Sequence, residues 1–304
     1  MRTEPVGIKF QDLGNPSFSI QTPDHHISLC NICLCVAKKQ SGKTYFMSNL
    51  LYQLQEADSI HRIFILSDTF FSNKKMMENL NVRPEDVISP NNENAIKYII
   101  DEIDNERDLI LEYREKLKIY DELKKLYKYP SKLPEELHHL FQEYIDPVKM
   151  NFKKPEHWNN GKKPSIALMC DDIQSTNLIG SKAFKNLCIK CRHVGSFESG
   201  EPPIGCSIFI AVQNYTASGN EGIPKSIRGN INCCAIWKTG NMKELDLWAT
   251  EMSGVIPKQK LLDAYNHVMD KDPDNRHNFL FVDLTPKKCH PSSFRMNYTD
   301  WILE

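Results

Sequence analysis

The 304-residue chain has no apolar run approaching the roughly 20 residues that a bilayer-crossing helix needs. Its first ten residues, MRTEPVGIKF, lack the apolar core of a signal peptide. Neither charge is in surplus. Lys and Arg number 38 against 39 Asp and Glu, a formal net charge of −1. The net charge therefore gives no sign of a polyanion binder, and any nucleic-acid contact must come from a local surface or from an assembly. No internal repeat or low-complexity tract is present, no HExxH spacing occurs among the histidines, and no nucleophile–base constellation stands out. These absences leave a globular chain, and 40% hydrophobic with 25% charged residues is an ordinary balance for one.

Cysteine is plentiful, at ten residues, yet its placement argues against a disulfide framework. Cys33 and Cys35 alternate within an apolar run, Cys170 precedes an Asp-Asp pair, and Cys233-Cys234 are adjacent. Cys30-x-x-Cys33 and Cys188-x-x-Cys191 have zinc-ligand spacing. Their neighbours, including Leu187 and Ile189, point instead to reduced thiols packed in a core.

The most informative stretch begins with the apolar run Ile27–Val36, of strand type. Ala37-Lys38-Lys39-Gln40-Ser41-Gly42-Lys43-Thr44 follows, and then a helical pattern with Phe46, Leu50, Leu51 and Leu54 on one face. Strand, tight loop ending in Gly-Lys-Thr, and helix form the context of a P-loop. Its backbone N–H groups and the helix N-terminus converge on an anion. Lys43 adds a point charge at the β- and γ-phosphates, and the Thr44 hydroxyl is a Mg²⁺ ligand. Lys39 to Tyr45 are the expected nucleotide-contacting residues. The motif's first glycine is replaced by Ala37, so the loop must enter its turn with a Cβ present.

Downstream, Arg62–Ser67 reads as a second buried strand and Asp86–Ser89 as a short one. From Asn94 to about Tyr127, Ile96, Ile99, Ile103, Ile110, Tyr113, Leu117, Tyr120 and Tyr127 fall near heptad spacing. After a Pro-containing turn, Leu137, Leu140, Phe141, Tyr144, Ile145 and Val148 share a face. This predicts a helical hairpin inserted at about 94–150, its two stripes burying each other or lying on the sheet. Residues 1–26 read as an N-terminal extension, with Ser17–Gln21 a candidate edge strand, and 27–304 as the P-loop domain. Ser165–Asp172 is a buried strand ending in two carboxylates, followed by a helix over about 181–192. Ser207–Asn214 is a fourth strand with polar residues at its C-terminal end, and Cys233–Trp237 a fifth. Helices are expected at 242–252 and 257–269, and late strands at 279–282 and 294–298.

Strands alternating with helices predict a mostly parallel sheet with ligands at the C-terminal strand ends, where these polar residues fall. Asp171 is placed to orient Mg²⁺ and Asp172 to polarise an attacking water, with helix capping the competing role for Asp172. Gln213 is placed to hold that water as a sensor, or else to cap the following turn. Arg192 and Arg228, on either side of the Gln213 strand, are candidate arginine fingers for a neighbouring subunit's nucleotide. Lys153-Lys154, Lys162-Lys163 and Lys287-Lys288 are candidate DNA contacts.

The set AKKQSGKT, IALMCDD, Cys191-Arg192-His193, IFIAVQNYT and IPKSIRGNI resembles the genome-packaging ATPases of large DNA viruses and virophages, within the FtsK–HerA superfamily. The resemblance covers roughly residues 28–240. It implies an additional-strand ATPase core of sheet order 5-1-4-3-2, ATP and Mg²⁺ as ligands, and a homo-oligomeric ring, pentamer or hexamer. It further implies translocation of double-stranded DNA into a preformed capsid, with a capsid or portal-vertex protein as docking partner. The implied place of action is the host cytoplasm or the virion. In this frame Lys43 and Thr44 match the Walker A pair, Asp171 and Asp172 the Walker B pair, Gln213 the sensor, and Arg192 or Arg228 the trans-acting arginine. The residues also leave open a P-loop kinase of a nucleotide or small molecule, and a nucleotide-dependent assembly protein. A kinase lid needs clustered arginines, whereas Arg107 and Arg114 lie on a helix.

Overall fold

The structure, a computed structural model, describes residues 22–70, 79–126, 134–141, 144, 164–174, 176–216 and 222–303. The strands are β1 (Ile32–Val36), β2 (Arg62–Leu66), β3 (Val87–Ile88), β4 (Ile166–Cys170), β5 (Cys206–Val212), β6 (Cys233–Trp237), β7 (Phe279–Asp283), β8 (Phe294–Met296) and β9 (Asp300–Trp301). The helices are α1 (Lys43–Glu56), α2 (Ala95–Leu126), α3 (Glu135–Phe141), α4 (Lys182–Lys190), α5 (Lys225–Arg228), α6 (Met242–Met252) and α7 (Lys258–Lys271). All nine strands form one sheet of order β3-β2-β4-β5-β1-β6-β7-β8-β9. The pairs from β3 to β6 are parallel, and β7, β8 and β9 join antiparallel. With β3 set aside as an extra edge, β6-β1-β5-β4-β2 is the expected 5-1-4-3-2 order.

A parallel sheet buried on both faces must be apolar almost throughout, and these strands are, Arg62 at the start of β2 and Ser207 in β5 apart. Their alternation also sorts residue sizes. Ile32, Leu34, Phe64, Leu168, Ile208 and Ile210 point to one face, beneath α2, α4, α6 and α7. Cys33, Cys35, Ala167, Ala211, Cys233 and Ala235 point to the other, under Phe46, Leu50, Leu51 and Leu54 of α1. Small side chains there let α1 lie close to the sheet. This accounts for several of the cysteines: nine of the ten are buried, and all ten are free thiols. Burial pushes the Cys30 thiol up to about 12, so it packs as a small apolar group. Of the apolar neighbours of Cys188, Leu187 is buried and Ile189 is half exposed beside Arg192.

The predicted hairpin divides its stripe between two tasks. Ile96, Ile99, Ile103, Ile110 and Tyr113 of α2 join the main core, while Tyr120 further along stacks edge-on to Phe141 of α3 at 5.6 Å. Tyr113 meets Tyr144 at 5.5 Å. Leu140, expected on the buried stripe, faces outward. Tyr127, Ile145, Val148, the linker 151–163 and the edge strand proposed at 17–21 lie outside the described residues. Residues 22–26 are strapped to the C-terminal strands: Lys287 Nζ donates to the Thr22 and Pro23 carbonyls, and Arg295 Nη1 to His25 O.

Beneath α2, Arg62 at the start of β2 donates to both carboxylate oxygens of Asp86 (2.9 and 2.7 Å) and to Glu102 (2.7 Å), and it lies over Phe64. The Asp86 side chain is 1% exposed. Removing one partner of a buried pair strands the other charge, so Arg62→Ala is expected to lower unfolding free energy by about 3 kcal/mol at neutral pH, read by urea denaturation.

Candidate nucleotide site

β1 ends at Val36, and Ala37 continues its ladder, its N–H donating to Val212 O at 3.0 Å. The loop's left-handed residues are Gln40 (φ 61°) and Gly42 (φ 98°); Ala37 is not among them. Ala37 therefore needs none of the conformational freedom that only glycine offers. Ser41 Oγ donates to Lys38 O at 2.5 Å, closing the loop on itself. Lys43, only 6% exposed, lies inside this ring and donates to Ala37 O (2.7 Å) and Lys38 O (3.2 Å). Burial pushes its amine below the usual lysine range, against the opposing pull of Asp172 and Asp171. Lys39, Gln40 and Tyr45 are exposed at the rim.

Across the loop, Thr44 Oγ1 donates to Asp171 Oδ2 at 2.7 Å, joining residues 127 positions apart. The other Asp171 oxygen, Oδ1, is buried without a hydrogen-bond partner among the described residues. Burial raises the Asp171 carboxyl above its ordinary value even though Thr44 and Lys43 work against this. An orphaned carboxylate oxygen beside a threonine hydroxyl is a hard-oxygen donor pair suited to Mg²⁺, which commonly takes one or two protein oxygens and completes its shell with phosphate and water. Among the described residues no cluster of three His, Cys, Asp or Glu forms a fuller metal cage.

Asp172 is exposed at the C-terminal end of β4 in a left-handed conformation (φ 52°), which aspartate tolerates better than most residues. Gln213 ends β5, between β1 and β4, and its side-chain amide makes no hydrogen bond among the described residues. What holds its backbone is Gln174. Its Oε1 accepts from Gln213 N, and its Nε2 donates to Asn214 O at 3.2 Å. Glu244 of α6 accepts from Thr216 N at 2.7 Å and lines a cavity of about 420 Å³ with Lys38, Gln213, Asn241 and Trp248. Sequence reasoning missed Gln174 and Glu244. Gln174 follows the Asp-Asp pair by two residues and was within reach of a spacing argument. Glu244 was not, because only the packing of α6 brings it there.

The two arginines differ. Arg228 is spent within its own subunit: it pairs with both oxygens of Glu251 at 2.9 Å, donates to Ile223 O at 2.7 Å, and lies over Tyr215. Tyr215 OH donates to the same Glu251 at 2.6 Å. Burial pushes Glu251 up, but the Arg228 and Tyr215 bonds outweigh it and hold the carboxyl below its ordinary value. A depressed carboxylate contributes stability that is whole above the unfolded glutamate value and is lost as pH falls through the folded one. The melting-temperature deficit of Arg228→Ala is accordingly expected to be constant near neutrality and to shrink below about pH 4.5, as a calorimetric pH series would read. Arg192, by contrast, is exposed and makes no ion pair among the described residues. It follows Cys191, whose carbonyl accepts from Cys206 N at the start of β5. Seven strand residues separate that end from Gln213, about 20 Å at strand rise.

Arg107 pairs with Asp104 and Asp108, and Arg114 with Glu201, so neither contributes to an arginine-lined lid. Lys287 is committed to the N-terminal strap, while 153–154 and 162–163 lie outside the described residues.

No protein-family model matches the chain, and no curated protein sequence matches it. Solved structures similar to it include the B204 DNA-packaging ATPase of Sulfolobus turreted icosahedral virus, with TM-score 0.43 and 12% identity over 88% of this chain and 96% of that one. The genome-packaging NTPase B204 of Sulfolobus turreted icosahedral virus 2, in complex with ATP-gammaS, gives TM-score 0.40 and 12% identity over 88% and 95%. The pCW3 conjugation coupling protein TcpA, in monomer form with ATPgS, gives TM-score 0.44 and 15% identity over 90% of this chain and 62% of that one.

Proposed function

We propose that this chain is an ATPase that drives double-stranded DNA, working as a homo-oligomeric ring, pentamer or hexamer. The reading is carried by the Thr44–Asp171 hydrogen bond, which sets a P-loop hydroxyl against a buried carboxylate at the tip of β4, one strand beyond the neighbour of β1. Lys43 exchanges its loop carbonyls for the β- and γ-phosphate oxygens and carries the charge that builds there. Asp172 accepts a proton from the attacking water, and the Gln213 amide, without a hydrogen bond among the described residues, orients it. A Mg²⁺ held by Thr44 and Asp171 supplies neutralisation of the phosphoryl oxygens. Arg192 acts in trans: its distance from the chain's own P-loop leaves a neighbour's site as the one it can enter.

Loading of DNA into a preformed capsid, docking on a capsid or portal-vertex protein, and action in the host cytoplasm or virion complete the proposal. No described helix is long and apolar enough to cross a membrane. The test is ATP hydrolysis with and without long double-stranded DNA over a salt series. Stimulation by DNA that fades with salt is expected, because phosphate contacts release counterions. Turnover indifferent to DNA, or phosphate delivered to a small acceptor, would overturn the motor reading.

A further inference from the structure

Beside the first turn of α1, on the flank away from Asp171, lies a second cavity of about 590 Å³, a size that holds a small organic ligand. Its walls come from distant parts of the chain: Tyr45 and Phe46 of α1, Trp237 at the end of β6, and His277, Phe279 and Tyr298 from the C-terminal segment. We propose that this cavity receives the nucleoside of the bound nucleotide, a base with its ribose, and that the last part of the chain forms its far wall. The inference rests on the nucleotide reading given above.

Sheet order provides the direction. β5 and β4, with Gln213 and Asp171 at their ends, flank β1 on one side, and β6 and β7 flank it on the other. A nucleotide whose terminal phosphates lie between Lys43 and Asp171 must run its nucleoside the opposite way past Ser41 and Gly42, both of which line this cavity. The wall there is attached to the phosphate loop, since His277 Nδ1 lies 3.2 Å from Ser41 O and a Cβ at Gly42 would meet the same nitrogen at 3.5 Å.

The C-terminal wall is also built to hold its shape. Asn275 Nδ2 and Asn297 Nδ2 both donate to Asn278 Oδ1 (3.2 and 3.1 Å), and Asn297 Oδ1 accepts from Phe279 N at 3.0 Å. Asn297 and Tyr298 are successive left-handed residues (φ 52° and 69°), which turn the chain around the cavity rim. Inside, Trp237 stacks on Phe279 at 4.3 Å, and the buried Trp237 Nε1 has no acceptor among the described residues. Tyr45, 68% exposed next to Thr44, offers a planar face to the cavity. An apolar floor, a free aromatic face and an imidazole at the lip suit a flat heteroaromatic base, not a second phosphate.

Isothermal titration of wild type, Tyr45→Ala and His277→Ala with Mg²⁺-ATP and with Mg²⁺-tripolyphosphate tests this. Both replaced residues are exposed, and unchanged melting temperatures would verify folding. Wild type is expected to bind ATP more tightly than tripolyphosphate. Each variant is expected to lose roughly tenfold toward ATP, the scale of one base-stacking contact, with tripolyphosphate affinity unchanged. Equal wild-type affinities, variants that keep ATP affinity, or equal losses toward both ligands would overturn the nucleoside site and leave the phosphate loop standing. Failure of wild type to bind either ligand would overturn the phosphate-loop reading and this inference with it.

Discussion

Arg192→Ala is expected to lower DNA-stimulated ATP turnover by about 10³-fold or more, the range for removing an arginine finger, with the melting temperature unchanged. The stability half follows from its surroundings, an exposed guanidinium with no ion pair among the described residues. The activity half follows from its position. With its own P-loop about 20 Å away along β5, the side chain serves a site on another copy or none. A mixing experiment separates these. Arg192→Ala subunits keep a working P-loop, and Lys43→Ala subunits keep the arginine. Combined, they form interfaces that hold one intact contribution from each, so turnover should reappear on mixing two inactive preparations. No recovery, or full activity of Arg192→Ala alone, would sink the trans assignment. Arg228→Ala makes the contrast: its bonds to Glu251 and Ile223 are internal, so melting should suffer more than mixed-ring turnover.

The second large effect concerns Lys43. Lys43→Ala is expected to reduce hydrolysis by about 10²–10³-fold, the loss typical of deleting one preorganised donor from a site where charge develops. The amine is buried and held down by desolvation. Its removal thus costs two carbonyl bonds and relieves a buried charge, and the net change in stability should be small. Steady-state hydrolysis read against a melting curve checks both halves. Retained turnover would show that phosphate charge is carried elsewhere.

Much of this site was legible in advance because local rules placed it. A strand, a Gly-Lys-Thr turn and a helix are contiguous, so Lys43 and Thr44 could be assigned a common purpose before any tertiary contact was known. Alternating strands and helices imply a parallel sheet with its polar residues gathered at one end, which brought Asp171, Asp172 and Gln213 into the same account. Ala37 looked like a defect only because a motif was being matched; the backbone needs its left-handed residues at Gln40 and Gly42.

Other features depended on side-chain geometry that no periodicity encodes. Leu140 and Ile189 have apolar character yet face outward, because a short helix has more apolar positions than its packing partner covers. Arg192 and Arg228 were equivalent as letters in the chain. Glu251, 23 residues beyond Arg228, captured one of them, while the other makes no ion pair among the described residues.

The sequence by itself determined the phosphate loop, the paired carboxylates and the alternation of strands and helices, since each is governed by residues near one another or by the two periodicities of helix and strand; the order of the core strands came from the resemblance. Tertiary structure alone decided that Arg228 pairs with Glu251, how Gln174 holds the end of β5, and that His277 comes to lie against Ser41 across 236 residues. The last depends on how the C-terminal strands fold back antiparallel onto β6, and the others on helix and loop packing, long-range closures that leave no local trace in the chain.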